Sequence, residues 1–246
     1  MPATTESGLK LWPVNRAGNN ATIRIYSDIG LWYTSQMFAE QLDALRDVEV
    51  LDVRINSFGG IGSEGVAMYN LLVQHPAIKR VWIDAAAYSA ASIVAMAASP
   101  GELRIAFNAR AMIHEAWNFA EGSKRELRKV ADILELLDGT IAATYAKRMT
   151  KYKKEAMLAL MEEETWYDAE GAVAAGFADE IFQADDVELP EDSLNLVREF
   201  KRPPPALVEK LRARAAAKGE PAFDAGQATA VEVLARWAAV RDRQAA

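Results

Sequence analysis

The chain has 246 residues, a formal net charge of −7, 51% hydrophobic residues and no cysteine. This length and composition predict one large domain with a buried core, and the missing cysteine excludes disulfides, cysteine nucleophiles and thiolate metal sites. The acidic balance argues against nucleic-acid binding through a basic surface, and two histidines, His75 and His114, are too few for a multi-histidine metal site. The first residues do not match a signal peptide, and no apolar stretch is long enough to span a membrane. We therefore expect a soluble cytoplasmic protein with no cofactor, no metal and no membrane partner.

Strand and helix patterns alternate through the first half of the chain. A β-branched strand ending in a turn is predicted over 21–30, a helix over 35–45 and a second strand over 48–56. A glycine-rich turn then opens into a helix that Pro76 stops, and a third strand over 78–86 leads into the small-residue segment "YSAASIVAMAA". This alternation is typical of a parallel sheet with crossover helices.

The second half is predicted to be mostly helical. Two short strands, in "ELRIAF" and "ARAMIHEAW", precede a long helix over 123–149 that opens with a Ser123–Glu126 capping box. A shorter helix over 153–161, an Asp168-capped helix ended by Gly176 and a last strand follow. The long helix carries an apolar stripe that we expect to serve packing and contacts between subunits: Leu127, Val130, Leu134, Leu137, Ile141 and Tyr145.

The composition changes after about residue 184. We divide the chain into an N-terminal arm over 1–20, a main folded domain over 21–184, and an acidic linker with an Ala/Arg-rich tail over 185–246. The "RPPP" segment breaks any helix that enters this tail.

Three short segments carry residue types suited to acyl transfer. They are "NSFGG" at 56–60, "SAAS" at 89–92 and "MIH" at 112–114, each at or near the end of a predicted strand. A serine hydroxyl needs a base such as histidine to become a nucleophile, and a helix N-terminus beside it offers unpaired amides for an oxyanion. Paired glycines and the small Ala90 and Ala91 let another chain approach the serine.

These segments resemble the Clp-type serine peptidases, over roughly 23–181. "RINSFGG", "SAASIVAMAA", "ARAMIHEAW" and "EETWYDAEGAVAAGFADEI" are similar to four motifs of that family, and above all to its phage and prophage branch, the ClpP-like head maturation proteases. The resemblance implies an α/β fold of the ClpP/crotonase type: a β-β-α superhelix with a parallel sheet, crossover helices and a protruding long "handle" helix. Phe58, where the family has proline, and Glu164, where it has aspartate, depart from the pattern.

The resemblance also implies roles for individual residues. Ser92 is expected to be the nucleophile, His114 the base and Glu164 the third member, with Glu162 and Glu163 as alternatives. The oxyanion-hole amides are expected from Gly60, Gly59 and Ile93. The residues expected to bind substrate are Phe58, Ile61, Glu115, Ala116 and Trp117.

The expected function is a serine endopeptidase acting on capsid or scaffold proteins, assembled as homo-oligomeric rings. An ATP-driven unfoldase partner is compatible with the family and not indicated by the sequence. Three alternatives stay open at this point. They are a degenerate scaffold or assembly protein, a crotonase-type acyl-CoA enzyme, and a serine–lysine peptidase.

Overall fold

The described residues belong to two units of the chain. A computed structural model describes residues 3–4, 10–11, 14–183 and 203–217, and the chain divides into two units, 1–190 and 191–246. The first unit holds every described strand, and the second holds one described helix. The predicted boundary at 184 lies outside the described residues. The described strands are β1 (Ala3–Thr4), β2 (Lys10–Leu11), β3 (Asn15–Ala17), β4 (Asn20–Ile25), β5 (Val50–Ser57), β6 (Ile78–Tyr88), β7 (Leu103–Ala106), β8 (Arg110–Ile113), β9 (Thr165–Tyr167) and β10 (Glu180–Phe182).

The main sheet runs in the order β10-β7-β6-β5-β4-β3, and only β3 is antiparallel to its neighbour. β6 is long enough for two partners on the same side. Val81–Ile83 pairs with β7, whereas Ala86–Tyr88 pairs with β8. β9 then adds to β8 in antiparallel register. Since β5, β6 and β8 are parallel, their carboxyl ends meet at one edge, where ligands commonly bind in such sheets.

Helices lie between strands along the chain, and those that link β4 to β5, β5 to β6 and β6 to β7 are crossovers between parallel neighbours. Their bounds agree with the predicted ones to within a few residues, and the predicted Asp168 cap, the left-handed Gly176 and the Ser123–Glu126 capping box are all present. The predicted ClpP-like α/β fold is confirmed, with a mixed sheet in place of a purely parallel one. The described helices are α1 (Ser35–Asp43), α2 (Gly62–Gln74), α3 (Ala90–Ala95), α4 (Lys124–Arg148), α5 (Lys154–Glu162), α6 (Ala169–Ala175) and α7 (Pro205–Ala217).

Helix α4 is only half embedded. Ile141 and Tyr145, near its C-terminal end, are buried in the core, whereas the predicted stripe becomes progressively more exposed toward Leu127. Ile133 and Leu136, outside that stripe, are 64% and 74% exposed. The first half of α4 therefore projects an apolar surface from the first unit. Among the helices that the structure describes, none has the length and apolar character needed to cross a membrane.

Candidate active site

A strained serine joins β6 to α3. Ser89 has φ 51° and ψ −125°, a conformation rarely adopted by residues other than glycine, and its amide donates a hydrogen bond to the Met112 carbonyl of β8 at 3.0 Å. The strand delivers Ser89 to the edge of the sheet, and the turn into α3 leaves its side chain partly accessible. Strain of this kind persists where the surroundings enforce it, and it is frequent at active sites.

His114 lies against Ser89. β8 ends at Ile113, one residue before His114, and the parallel pairing of Tyr88 with Met112 brings the two strand ends side by side. The His114 Nε2 atom lies 2.7 Å from the Ser89 Oγ atom, which is the distance of a direct hydrogen bond. A histidine nitrogen that bonds a serine hydroxyl can remove its proton.

The predicted Ser92–His114 pair is not formed. Ser92 lies in the first turn of α3 and is fully buried, with its Oγ atom 2.6 Å from the Ser89 carbonyl oxygen and 2.7 Å from the Tyr145 hydroxyl. The Ile93 amide, predicted to hold an oxyanion, points to the Ser89 carbonyl at 3.4 Å within the helix. Neither group faces a site that a substrate could enter, because both are turned into α3 and the core.

The glycine turn after β5 packs against the turn at Ser89. Gly59 and Gly60 have φ of 98° and 140°, in the region that favours glycine. A Cβ atom on Gly59 would lie 2.6 Å from the Tyr88 carbonyl oxygen and 2.9 Å from the Ala90 amide nitrogen, and one on Gly60 would lie 2.1 Å from the Ile29 carbonyl oxygen. Both positions thus require glycine, and the close approach places this turn beside Ala90, the first residue of α3.

Glu164 immediately precedes β9, the strand that pairs with β8. The antiparallel β8–β9 ladder ends at the pair of Ile113 with Thr165, the residues next to His114 and Glu164, and Glu164 itself lies in a turn with φ 52°. Glu164 is 3% exposed and accepts a hydrogen bond from the Trp166 indole at 3.1 Å. The two alternative carboxylates, Glu162 and Glu163, are exposed.

Three packed aromatic rings join the segments that form the site. Phe58 stacks on Tyr88 with ring centroids 4.9 Å apart, and Tyr88 meets Trp166 edge-on at 4.9 Å. These rings belong to the segments that carry the glycine turn, the Ser89 turn and Glu164, so their packing fixes the spacing of all three. Phe58 was predicted to bind substrate, but its side chain is fully buried in this stack, which makes it a supporting residue.

The other predicted substrate-binding residues lie nearer the surface. Ile61 is partly exposed at the start of α2. Glu115 and Ala116 line an open groove of about 1660 Å³ between α4 and α5, and Trp117 is 38% exposed. The Ala116 amide donates to the Asp138 Oδ1 atom of α4 at 2.6 Å, so α4 holds this segment in place beside the site.

Burial controls the ionisation of the polar groups around the site. It raises the pKa of both the Tyr145 and the Tyr88 phenols above the ordinary value, so both stay protonated at neutral pH. Burial also raises the pKa of Asp138, although the Ala116 amide opposes this change. Within the described ranges, no three His, Asp or Glu side chains are grouped so as to hold a metal ion.

Comparison with known proteins agrees with the fold. The model of the Clp protease family matches residues 11–185. The chain belongs to the Clp protease family. Among solved structures it is similar to a mutant ClpP1 from Listeria monocytogenes, with 20% sequence identity and a TM-score of 0.60, covering 66% of this chain and 91% of that one. At this identity the likeness establishes the fold, and the roles of individual residues depend on the geometry above.

Sequence reasoning placed the nucleophile at Ser92, whereas the structure brings Ser89 to His114. Both serines of "SAAS" stand beside alanines, so the motif alone does not separate them, and the two alanines before Ser92 favoured that residue. The separating signal is the end of the strand. A reactive serine belongs at the strand-to-helix turn, and β6 continues two residues beyond its predicted end, to Tyr88.

Proposed function

We propose that the chain is a serine endopeptidase in which Ser89 is the nucleophile, His114 the general base and Glu164 the orienting acid. The observation that supports this most directly is the 2.7 Å contact between Ser89 Oγ and His114 Nε2 at a strained strand-to-helix turn. The proposal moves the nucleophile from Ser92 to Ser89 and keeps the other two members. The burial of Glu164 and its position directly before β9 favour it over its two exposed neighbours.

In the proposed reaction, Ser89 Oγ attacks the scissile carbonyl carbon while His114 Nε2 takes the hydroxyl proton. His114 returns that proton to the leaving amine as the C–N bond breaks, which leaves an ester on Ser89. Water then attacks the ester, with His114 again as base, and releases the second product. Glu164 accepts a hydrogen bond from the far imidazole nitrogen, which fixes the tautomer and stabilises the imidazolium.

The oxyanion that forms during each attack is held by the amides of Ala90 and Gly60. The amide after the nucleophile is a usual donor at a strand-to-helix turn, and the first amides of a helix have no partner within it. Gly59 allows the glycine turn to approach Ala90 closely. Donors placed in advance at this oxygen usually make the largest single contribution to the rate.

The substrate is an extended polypeptide that lies beside residues 115–117. Backbone pairing at such an edge gives affinity with weak demands on sequence. Following the resemblance of its motifs, we propose that capsid or scaffold proteins are cleaved during phage head maturation, in the host cytoplasm. We also propose a ring-like homo-oligomer in which a second copy covers the exposed apolar face of α4, formed by Leu127, Ile133 and Leu136.

The decisive experiment is labelling with a fluorophosphonate serine probe, followed by peptide mapping. The label is expected on Ser89, and Ser89→Ala or His114→Ala should each reduce peptide turnover by about a million-fold, because the pair acts as a unit. Ser63→Ala, at an exposed serine of α2, is the matched control and should be labelled like the wild type.

Three results would contradict the proposal. Ser89→Ala with wild-type turnover would exclude Ser89 as nucleophile, and an active His114→Ala enzyme would place the base elsewhere. A wild-type assembly with neither turnover nor labelling would favour a scaffold that has lost catalysis. Incubation with coat and scaffold proteins tests the substrate class separately.

A further inference from the structure

A buried pair of hydroxyls ends on the carbonyl of Ser89. The Ser92 Oγ atom lies 2.6 Å from that oxygen and donates to it, since a carbonyl only accepts. A serine hydroxyl has a single proton, which this bond uses, so the 2.7 Å contact with Tyr145 must be a donation from the phenol. The direction of the chain is therefore Tyr145 to Ser92 to the Ser89 carbonyl.

The Ser89 carbonyl is held by three donors. The Ser92 amide at 2.9 Å and the Ile93 amide at 3.4 Å are bonds of the first helical turn, and the Ser92 hydroxyl adds a third. The carbonyl orientation sets ψ of Ser89, which is −125°. Together with the Ser89 amide, which is held by Met112, these bonds restrain both peptide groups that flank the nucleophile.

The two hydroxyls are costly to bury. Ser92 is 0% and Tyr145 1% exposed, and their surroundings are largely apolar. Alanine and phenylalanine would fill the same space without any polar group to satisfy, whereas removing one partner leaves the other buried and short of a bond. The pair also belongs to different elements, since Ser92 lies on α3 and Tyr145 on α4.

Helix α4 thus contacts the site at two points. Tyr145 reaches the nucleophile turn through Ser92, and Asp138, two turns earlier, holds the Ala116 amide beside the proposed substrate strand. A shift of α4 along its axis would alter both contacts together. The exposed first half of the same helix is the surface that we propose a second copy covers.

We propose that Tyr145 and Ser92 are positioning residues that hold the strained conformation of Ser89 and make its reactivity depend on the position of α4 along its axis. This inference rests on the proposed function, because it concerns the same nucleophile. Neither residue touches the substrate. Their effect passes through the Ser89 carbonyl, so the base and the substrate strand are left unchanged.

The test compares Ser92→Ala, Tyr145→Phe and the double variant in the full-length protein. Tyr167→Phe is the matched control, because it removes another buried phenol hydroxyl, one with no hydrogen-bond partner in the described part of the chain. Measured at equal folded fraction, Ser92→Ala should lower kcat and the fluorophosphonate labelling rate by about tenfold, and Tyr145→Phe by about threefold. KM and the midpoint of the pH–rate profile should not change, and the double variant should be no slower than Ser92→Ala alone, since the phenol acts through Ser92.

The outcomes separate this inference from the proposed function. Wild-type labelling rates in Ser92→Ala and Tyr145→Phe, with Ser89→Ala unlabelled, overturn the positioning role and leave the function intact. An equal loss in Tyr167→Phe also overturns it, because a general loosening of the core would then be the cause. Labelling of Ser89→Ala at the wild-type rate contradicts the function itself, and a label mapped to Ser92 contradicts both.

Discussion

The two halves of α4 differ in what they contact. Its C-terminal half lies in the core, where Ile141 and Ala142 are buried and the Tyr145 hydroxyl contacts Ser92 of α3. Its N-terminal half carries Ile133 and Leu136 at 64% and 74% exposure. One continuous helix thus combines a part that the fold of the single chain stabilises with a part that the single chain leaves uncovered.

This difference indicates how assembly and catalysis can be connected. The buried half cannot move without disturbing the Ser92–Tyr145 pair, and the exposed half has few contacts of its own to restrain it. A partner that covers the exposed half would also restrain the buried half, since α4 is a rigid 25-residue helix. Substitutions in each half should therefore separate the folding of one chain from the assembly of several.

The largest expected effect on the free energy of unfolding is at the buried end of α4. Ile141→Ala should lower the free energy of unfolding by about 2–5 kcal/mol, because the cavity forms in a packed core. Leu136→Ala should change it by about 0.5 kcal/mol or less in the dissociated chain, yet reduce the mass found by light scattering at micromolar concentration. Denaturant titration and light scattering on both variants measure this contrast. Equal destabilisation would show that both halves belong to the core, and an unchanged assembly in Leu136→Ala would remove this face from the contact.

The next largest effect, on both stability and KM, is expected at Asp138, near the middle of α4. Asp138→Ala removes the acceptor of the Ala116 amide and should cost about 1–3 kcal/mol, with a higher KM because the segment beside the substrate is released. Asp138→Asn is the matched control, since its side-chain oxygen can still accept that bond. An Asn variant as impaired as the Ala variant would mean that the charge, and not the hydrogen bond, holds the segment.

The pH dependence of stability in the wild type and in Asp138→Asn tests the ionisation of this carboxyl. Burial raises the pKa of Asp138 in the folded state, so this carboxyl favours folding most when protonated, and that contribution is lost as pH rises through the folded pKa. Wild type and Asp138→Asn should therefore have similar unfolding free energies near pH 4, about the unfolded pKa, and the Asn variant should become the more stable one toward pH 7. A gap that closes with rising pH would show that the carboxylate is stabilised in the native state.

The sequence predicted most of this fold because its signals are local. The Ser123–Glu126 box, the Asp168 cap and the glycine at 176 each mark a helix end through bonds made within a few residues. β9 was not predicted, because a three-residue strand has too little pattern and is defined by its pairing with β8. The choice between Ser89 and Ser92 likewise depends on where β6 stops and on which face of α3 meets Tyr145, and both are set by tertiary contacts.

The smallest expected effect is at the exposed end of α4, in the capping box. The Glu126 amide donates to Ser123 Oγ at 3.4 Å, and the Glu126 carboxylate accepts from the Ser123 amide at 2.7 Å. Ser123→Ala should cost the helix about 1 kcal/mol, but only locally, because the first turns of α4 make few contacts with the core. Hydrogen exchange should therefore quicken at residues 124–130 and stay unchanged at Tyr145.

The cap should also respond to pH in the direction opposite to that of Asp138. Hydrogen bonds from the Ser123 hydroxyl and amide lower the pKa of Glu126, so the cap is fully formed above the ordinary glutamate pKa and is lost as pH falls through the lowered value. On acidification, the protection factors at 124–130, which compare each exchange rate with its intrinsic rate at that pH, should therefore fall in the wild type. They should change little in Ser123→Ala, which lacks the cap already. If Ser123→Ala also quickened exchange at Tyr145, the two halves of α4 would unfold together, and the distinction between them would fail.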